Sequence, residues 1–128
     1  MKILVDTHAF IWLTDETTRL SAAALSALKA PENELWLSDA SVWEMAIKIR
    51  LGKLTFPEPF HEKIFEAILR TGVVVLPIAT RHAVAVSQLP MHHRDPFDRM
   101  LVVQASMEEC AIVTHDPLIA LYGVPVIW

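Results

Sequence analysis

Short apolar runs, each too brief to be a buried helix, alternate along this chain with stretches of helical periodicity. That alternation restricts the fold more than any other feature. Lys2–Asp6, Leu35–Leu37, Val73–Ile78, Ala111–Thr114 and Val124–Trp128 read as strands, the third in spite of Pro77 near its end. Between them, Ser21–Lys29 is rich in Ala and Leu, with Ser21 placed to cap it. A second helix starts at Ser38 or Asp39 and runs to Leu51, where Gly52 stops it; Val42, Met45, Ala46 and Ile49 recur at helical spacing. Pro59–Thr71 opens on a proline, which a first turn tolerates, and closes before Gly72. Thr80–Ser87, Phe97–Glu109 and Pro117–Leu121 complete the helical set. Strands alternating with helices predict an α/β fold around a mainly parallel sheet. Ligands of such sheets bind outside the carboxyl ends of the strands, at the point where strand order reverses.

The 128 residues allow a single domain spanning 1–128, with no linker or repeat. The one cysteine, Cys110, excludes an internal disulfide framework, and none of the six histidines pairs with it at structural-zinc spacing. No apolar run reaches the ~18–20 residues of a membrane span. The start, Met1 to Asp6, is too short and too soon acidic for a signal peptide. A cytoplasmic protein with no membrane partner is therefore expected. An apolar fraction of 53% against 20% charged residues leaves either a generous core or a surface meant for a partner. A net charge of −4 argues against a protein that holds nucleic acid mainly through a basic surface. It leaves room for an enzyme that gathers acids around a cation.

Four acids stand in unusual places. Asp6 and Asp116 end strands, and both fall at the carboxyl edge of a parallel sheet. Asp98 lies at the start of the Phe97 helix, and Glu44 lies one and a half turns into the helix that starts near Ser38. Each has a plain alternative. Asp98 and Asp116 could cap helices, a role worth ~0.5–2 kcal/mol; Asp6 could cap the following segment, His8–Leu13, and Glu44 could be half exposed. Taken together, the four would crowd carboxylates within a few ångströms and raise one another's pKa. A divalent cation removes that cost, and oxygen-only ligands favour Mg²⁺ or Mn²⁺ over zinc.

The segments Leu4-Val5-Asp6-Thr7-His8, Ser41-Val42-Trp43-Glu44-Met45-Ala46-Ile47-Lys48, Asp95-Pro96-Phe97-Asp98-Arg99-Met100-Leu101 and Val113-Thr114-His115-Asp116 follow one another in the order and spacing of a known family. The chain resembles the PIN domain over essentially its whole length, and within it the VapC-type toxins of prokaryotic toxin–antitoxin pairs. The resemblance implies a three-layer α/β/α fold and a Mg²⁺-dependent endoribonuclease. It also implies a homodimer held inactive by a VapB-type antitoxin. Asp6, Glu44, Asp98 and Asp116 match the family's four acids in turn. By that match Asp6 and Asp98 are the main metal ligands, while Glu44 and Asp116 act directly or through water. The cation orients a water for in-line attack on an RNA phosphodiester, and Glu44 or Asp116 positions or deprotonates that water. Thr114 matches the hydroxyl residue that accompanies the fourth acid. Asp95 reads as a loop or cap residue with a possible site role, and Arg99 as a possible supporting or substrate-binding residue. His8 and His115 could contact RNA, although a structural role suits both. His92 and His93 lack a further spaced ligand and read as loop residues. Lys48, Arg50, Lys53, Arg94 and Arg99 could offset the site's negative field.

A non-catalytic phosphoacceptor or binding module of similar fold is the competing reading. A receiver-type domain needs a lysine late in the chain, and the last one here is Lys63. A dehalogenase-type phosphatase needs an aspartate two residues after the first, where His8 stands.

Overall fold

Five strands form in the computed structural model, which describes residues 1–128: β1 (Lys2–Val5), β2 (Glu34–Ser38), β3 (Val74–Leu76), β4 (Ala111–Val113) and β5 (Val126–Ile127). They build one sheet in the order β3-β2-β1-β4-β5, and every neighbouring pair is parallel. Six α-helices flank it: α1 (Thr7–Asp15), α2 (Ala22–Lys29), α3 (Asp39–Arg50), α4 (Phe60–Thr71), α5 (Thr80–Ala85) and α6 (Pro96–Met107). Successive strand residues point to opposite faces. Ile3, Val5 and Val113 therefore enter a core with Phe10 of α1, Leu28 of α2, Met45 of α3 and Ile64 of α4. Leu4 and Ile112 enter a second core with Leu76, Leu101, Val102 and Ile119. Two apolar layers on one sheet make the expected three-layer α/β/α arrangement.

The strand and helix expectations agree with this architecture, with trimmed ends. Pro77 ends β3 at Leu76, since proline has no N–H to continue the ladder. Ser21 caps α2, accepting from the Ala24 N–H at 3.0 Å. The Thr80 segment leaves α-helical geometry after Ala85 and becomes a 3₁₀ turn. The segment after Asp116 is likewise a 3₁₀ turn, Ile119–Tyr122, rather than an α-helix. In the sequence reading, the residues after Asp6 are only a segment for Asp6 to cap. They form the complete helix α1. Its run of Ala9, Phe10, Ile11, Trp12 and Leu13 is apolar on nearly every side, so it lacks the one-sided periodicity that marks an amphipathic helix.

The chain runs β1, β2, β3 toward one edge, then returns to place β4 and β5 on the other side of β1. Strand order reverses between β1 and β4. The Asp6 N–H donates to Val113 O at 3.1 Å, fixing the end of β1 beside the end of β4.

Candidate active site

The reversal point collects the four acids. Asp6 follows β1 directly and is buried. Its Oδ1 accepts from the Ala9 N–H at 2.7 Å, which caps α1. The expected capping role is therefore present, and Asp6 still lines the cleft through which solvent reaches the site, together with Asp98 and Asp116. Burial raises the Asp6 carboxyl above its ordinary range. Hydrogen bonds from Thr114 and Ala9 oppose the shift, and the nearby charge of Glu44 adds to it.

Glu44 is not half exposed; α3 carries it inward until only 4% of its side chain reaches solvent. Oε1 accepts from the Thr7 hydroxyl at 2.6 Å, and Oε2 pairs with the Lys48 ammonium one turn later on α3. Burial alone would lower the Lys48 ammonium, but Glu44, with Asp95 and Asp98 behind it, raises it. Among the basic residues singled out in the sequence, Lys48 thus balances charge inside the site.

Asp95, not Asp98, caps α6. Its Oδ1 accepts from the N–H groups of Phe97 and Asp98 at 2.9 and 3.1 Å. That leaves the Asp98 carboxylate, at the third helical position, free to face the cleft. Burial, followed by the charges of Asp95, Glu44, Asp6 and Asp116, pushes its pKa up to about 7. Asp116 does two jobs: Oδ1 accepts from the Leu118 N–H at 2.9 Å, and Oδ2 turns toward His93. Thr114 is buried and accepts from the Asp116 N–H at 3.1 Å.

Arg99 was expected as a possible supporting or substrate-binding residue. Its guanidinium is buried and donates to Pro90 O, Leu89 O, Val86 O and the Tyr122 hydroxyl. It clamps the chain that leads to the site, as a supporting residue would. His93 was expected to be an idle loop residue. It lies in a loop, yet its Nε2 sits 3.8 Å from Asp98 Oδ2 and 3.8 Å from Asp116 Oδ2. Ligand atoms of His93, Asp98 and Asp116 all lie within 4.8 Å of one another. Asp6 lines the same cleft but stands outside that tight group. The sequence contains a faint signal for His93, its place in the run His92-His93-Arg94-Asp95-Pro96-Phe97-Asp98, but a histidine five residues before an acid carries no regular spacing. Tyr122, which anchors His93, carries no signal at all.

An aromatic rim borders the acids. His8 packs on Trp12 (5.8 Å between ring centres), Trp12 on Trp128 (5.9 Å), and Trp128 on His115 (5.2 Å). The Arg19 guanidinium lies 4.9 Å over the Trp12 ring. Chemically, the centre offers several hard oxygen donors, a carboxyl raised to about 7 by burial and then by its neighbours, and beside them a buried imidazole. That set fits a divalent cation, whose charge would relieve the crowding that holds Asp98 near pH 7.

A three-layer α/β/α fold with acids gathered at the reversal point defines a class of domain, and comparison with known proteins specifies the family. The sequence profile of the PIN domain matches residues 3–123, and the chain belongs to that family. Ribonuclease VapC16 of Mycobacterium tuberculosis is 39% identical over 69 residues, covering 51% of this chain and 48% of that protein. The match thus spans about half the length of this relative. A chain of the VapBC2 complex of Rickettsia felis bound to promoter DNA superposes with a TM-score of 0.73 at 12% identity. It covers 98% of this chain and 97% of its own. A chain of FitAcB from Neisseria gonorrhoeae gives 0.62 at 20% identity, over 97% and 95%. At these identities the two structures speak for the fold.

Proposed function

We propose that this chain is a metal-dependent endoribonuclease of the VapC type, acting as the toxin of a toxin–antitoxin pair and restrained by a VapB-type antitoxin. The observation that carries the reading is the meeting of Asp6, Asp98 and Asp116 at one cleft, with Glu44 close enough behind it that burial and the charges of these acids and Asp95 raise Asp98 to about 7. Asp6, Asp98 and Asp116 would hold Mg²⁺ or Mn²⁺, with Glu44 acting through Thr7, Lys48 or water. When bound, the cation offsets charge on phosphate oxygens and acidifies a water for in-line attack. Asp6 and Asp116 are oriented by backbone N–H groups, so the donor geometry exists before substrate arrives. Lys48, paired with Glu44 on the same helix, holds it in place. His8, Trp12, Trp128 and His115 offer ring faces beside the acids, which suits unstacked bases of an RNA loop better than a duplex. This agrees with the net negative charge, which disfavours general adhesion to nucleic acid.

Further parts of the reading rest on relatives and on the family resemblance. Ribonuclease VapC16 is named for its activity, and the VapBC2 structure is of a toxin–antitoxin complex. An antitoxin partner is proposed here on that basis, and a homodimer and a cytoplasmic place on the family resemblance. No helix is long and apolar enough to cross a membrane. The test is cleavage of total cellular RNA by antitoxin-free protein with Mg²⁺, with EDTA, and with Asp98→Asn. Discrete fragments with 5′-phosphate ends from wild type with metal alone support the reading. Intact RNA in every lane, from protein that metal stabilises thermally, points to a different substrate. Intact RNA without metal stabilisation overturns it.

A further inference from the structure

His93 is the one member of its cluster with Asp98 and Asp116 that neither the four-acid reading nor the family motif uses. Its side chain is 8% exposed, and its Nε2, closed to solvent, has no hydrogen-bond partner. A buried polar atom left so costs about 1–3 kcal/mol unless something claims it. Three roles are open to it: a lone pair for the cation, a contact to substrate, or an N–H donor to the acids.

The other end of the ring decides between the first and the third. Tyr122 Oη accepts from the His93 backbone N–H at 3.1 Å and from Arg99 Nη1 at 3.3 Å. Those two bonds occupy the hydroxyl's acceptor capacity. Oη itself lies 3.0 Å from His93 Nδ1, the acceptor that remains for its proton. Nδ1 therefore accepts, and a neutral imidazole so held carries its proton on Nε2. An Nε2–H has no lone pair for a cation. The substrate role fails on access, because no solvent reaches Nε2. The same tautomer occurs elsewhere in this molecule: His82 Nδ1 accepts from the Ala79 N–H at 3.0 Å, and its Nε2 lies 2.9 Å from Glu108 Oε1. At His93 the corresponding distance is 3.8 Å to each of two carboxylates. That is beyond a hydrogen bond, yet a small side-chain rotation of either aspartate closes it.

We propose that His93 is a positioning residue: Tyr122 and Arg99 hold it as an Nε2–H donor between Asp98 and Asp116, where it engages an Oδ2 of that pair and sets which oxygens are left for the cation. Carboxylates that hold metals are commonly oriented by such outer partners, and loss of one typically costs 10–100-fold in metal affinity or activity. The inference rests on the reading of these acids as a cation site.

Two measurements on the full chain test it. The first is ¹⁵N NMR of the histidine rings in metal-free protein, with His93 assigned by its absence in His93→Gln. A protonated Nε2 and a bare Nδ1 are expected, with the preference weakened in Tyr122→Phe. The second is calorimetric binding of Mn²⁺. His93→Leu should weaken it about 10–100-fold. His93→Gln, which keeps an N–H close to the Nε2 position, should stay within about threefold of wild type. A proton on Nδ1, or a directly bound ¹⁴N in the pulsed EPR spectrum of Mn²⁺-loaded wild type, overturns the donor role and makes His93 a ligand. Equal Mn²⁺ affinity in wild type and His93→Leu overturns it as well. Failure of wild type to bind Mn²⁺ sinks the cation reading and the positioning role with it. The NMR result, which needs no metal, separates that failure from one confined to His93.

Discussion

Two buried histidines, each beside a carboxylate, sit in this molecule at opposite energetic extremes. His82 lies within the layer formed by α5 and α6. Its Nδ1 accepts from Ala79, and its Nε2 is 2.9 Å from Glu108, which also pairs with Arg81. The hydrogen bond to His82, then that to Arg81, holds the Glu108 carboxyl below its usual range. His93 has the same ring orientation but faces two carboxylates at 3.8 Å, and the neighbouring Asp98 is pushed up to about 7 by burial and by other acids. One cluster is closed and satisfied; the other is open and over-charged. Folding alone completes the first. On the proposed reading the second would reach balance with a cation bound, and that difference would separate a structural polar cluster from a site.

Substitutions on the two sides should therefore behave in opposite ways. Asp98→Asn is expected to cut RNA cleavage by more than about 100-fold, beyond the range of an outer-shell loss. The metal-free Asp98→Asn protein should nonetheless be more stable than wild type at pH 8, because a crowded charge is gone. Chemical denaturation compared with cleavage assays checks both signs, and a less stable variant would break the comparison.

The pH dependence of metal-free stability is the next largest effect. The Asp98 carboxyl rises from 3.8 to about 7 on folding, so the folded state binds the proton more tightly. Its contribution is fully present below pH ~4, is lost as pH rises through ~7, and is flat above. Discounted for the solvent that still reaches the side chain, the loss is about 2–3 kcal/mol. Asp6, also raised, adds in the same direction. Glu108 has the opposite sign: its contribution is present above the unfolded value of 4.5 and lost as pH falls through the lower folded one. Saturating Mn²⁺ should flatten the loss between pH 4 and 7 and leave the acid limb unchanged. Urea denaturation across pH, with and without Mn²⁺, measures it.

His82→Leu should cost about 1–3 kcal/mol, the penalty for stranding its buried partners, with Mn²⁺ affinity unchanged. Calorimetry and denaturation on the same sample test that separation. Arg81→Ala should be the mildest, within about 1 kcal/mol, since the arginine is half exposed and an exposed ion pair contributes little.

Much of the fold was legible in the sequence because short β-branched and apolar runs have few other uses, and their boundaries coincide with Gly52, Gly72, Pro77 and the Ser21 and Ser38 caps. Helix α1 was not legible as a helix, because a run apolar on nearly every side carries no one-sided periodicity. Asp6, Asp98 and Asp116 stood out by position relative to predicted element ends, a local property, and Glu44 by its place in the Ser41–Lys48 segment. Asp95 was correctly read as a cap, while the plain alternatives for Glu44 and Asp98 fell once the structure showed the first buried and the second relieved of capping.

The sequence by itself determined the alternation of strands and helices, the acids at their ends, and through these the family. Each depends on neighbours along the chain, which order of residues specifies directly. Only the tertiary structure decided the strand order that sets β1 beside β4, the pairing of Glu44 with Thr7, the turning of Arg99 onto four oxygens, and the aim of His93 between Asp98 and Asp116. Those depend on which segments meet in space. A Tyr122–His93 contact across 29 residues leaves no periodicity or spacing to read; packing of the 3₁₀ turn against the loop before α6 creates it.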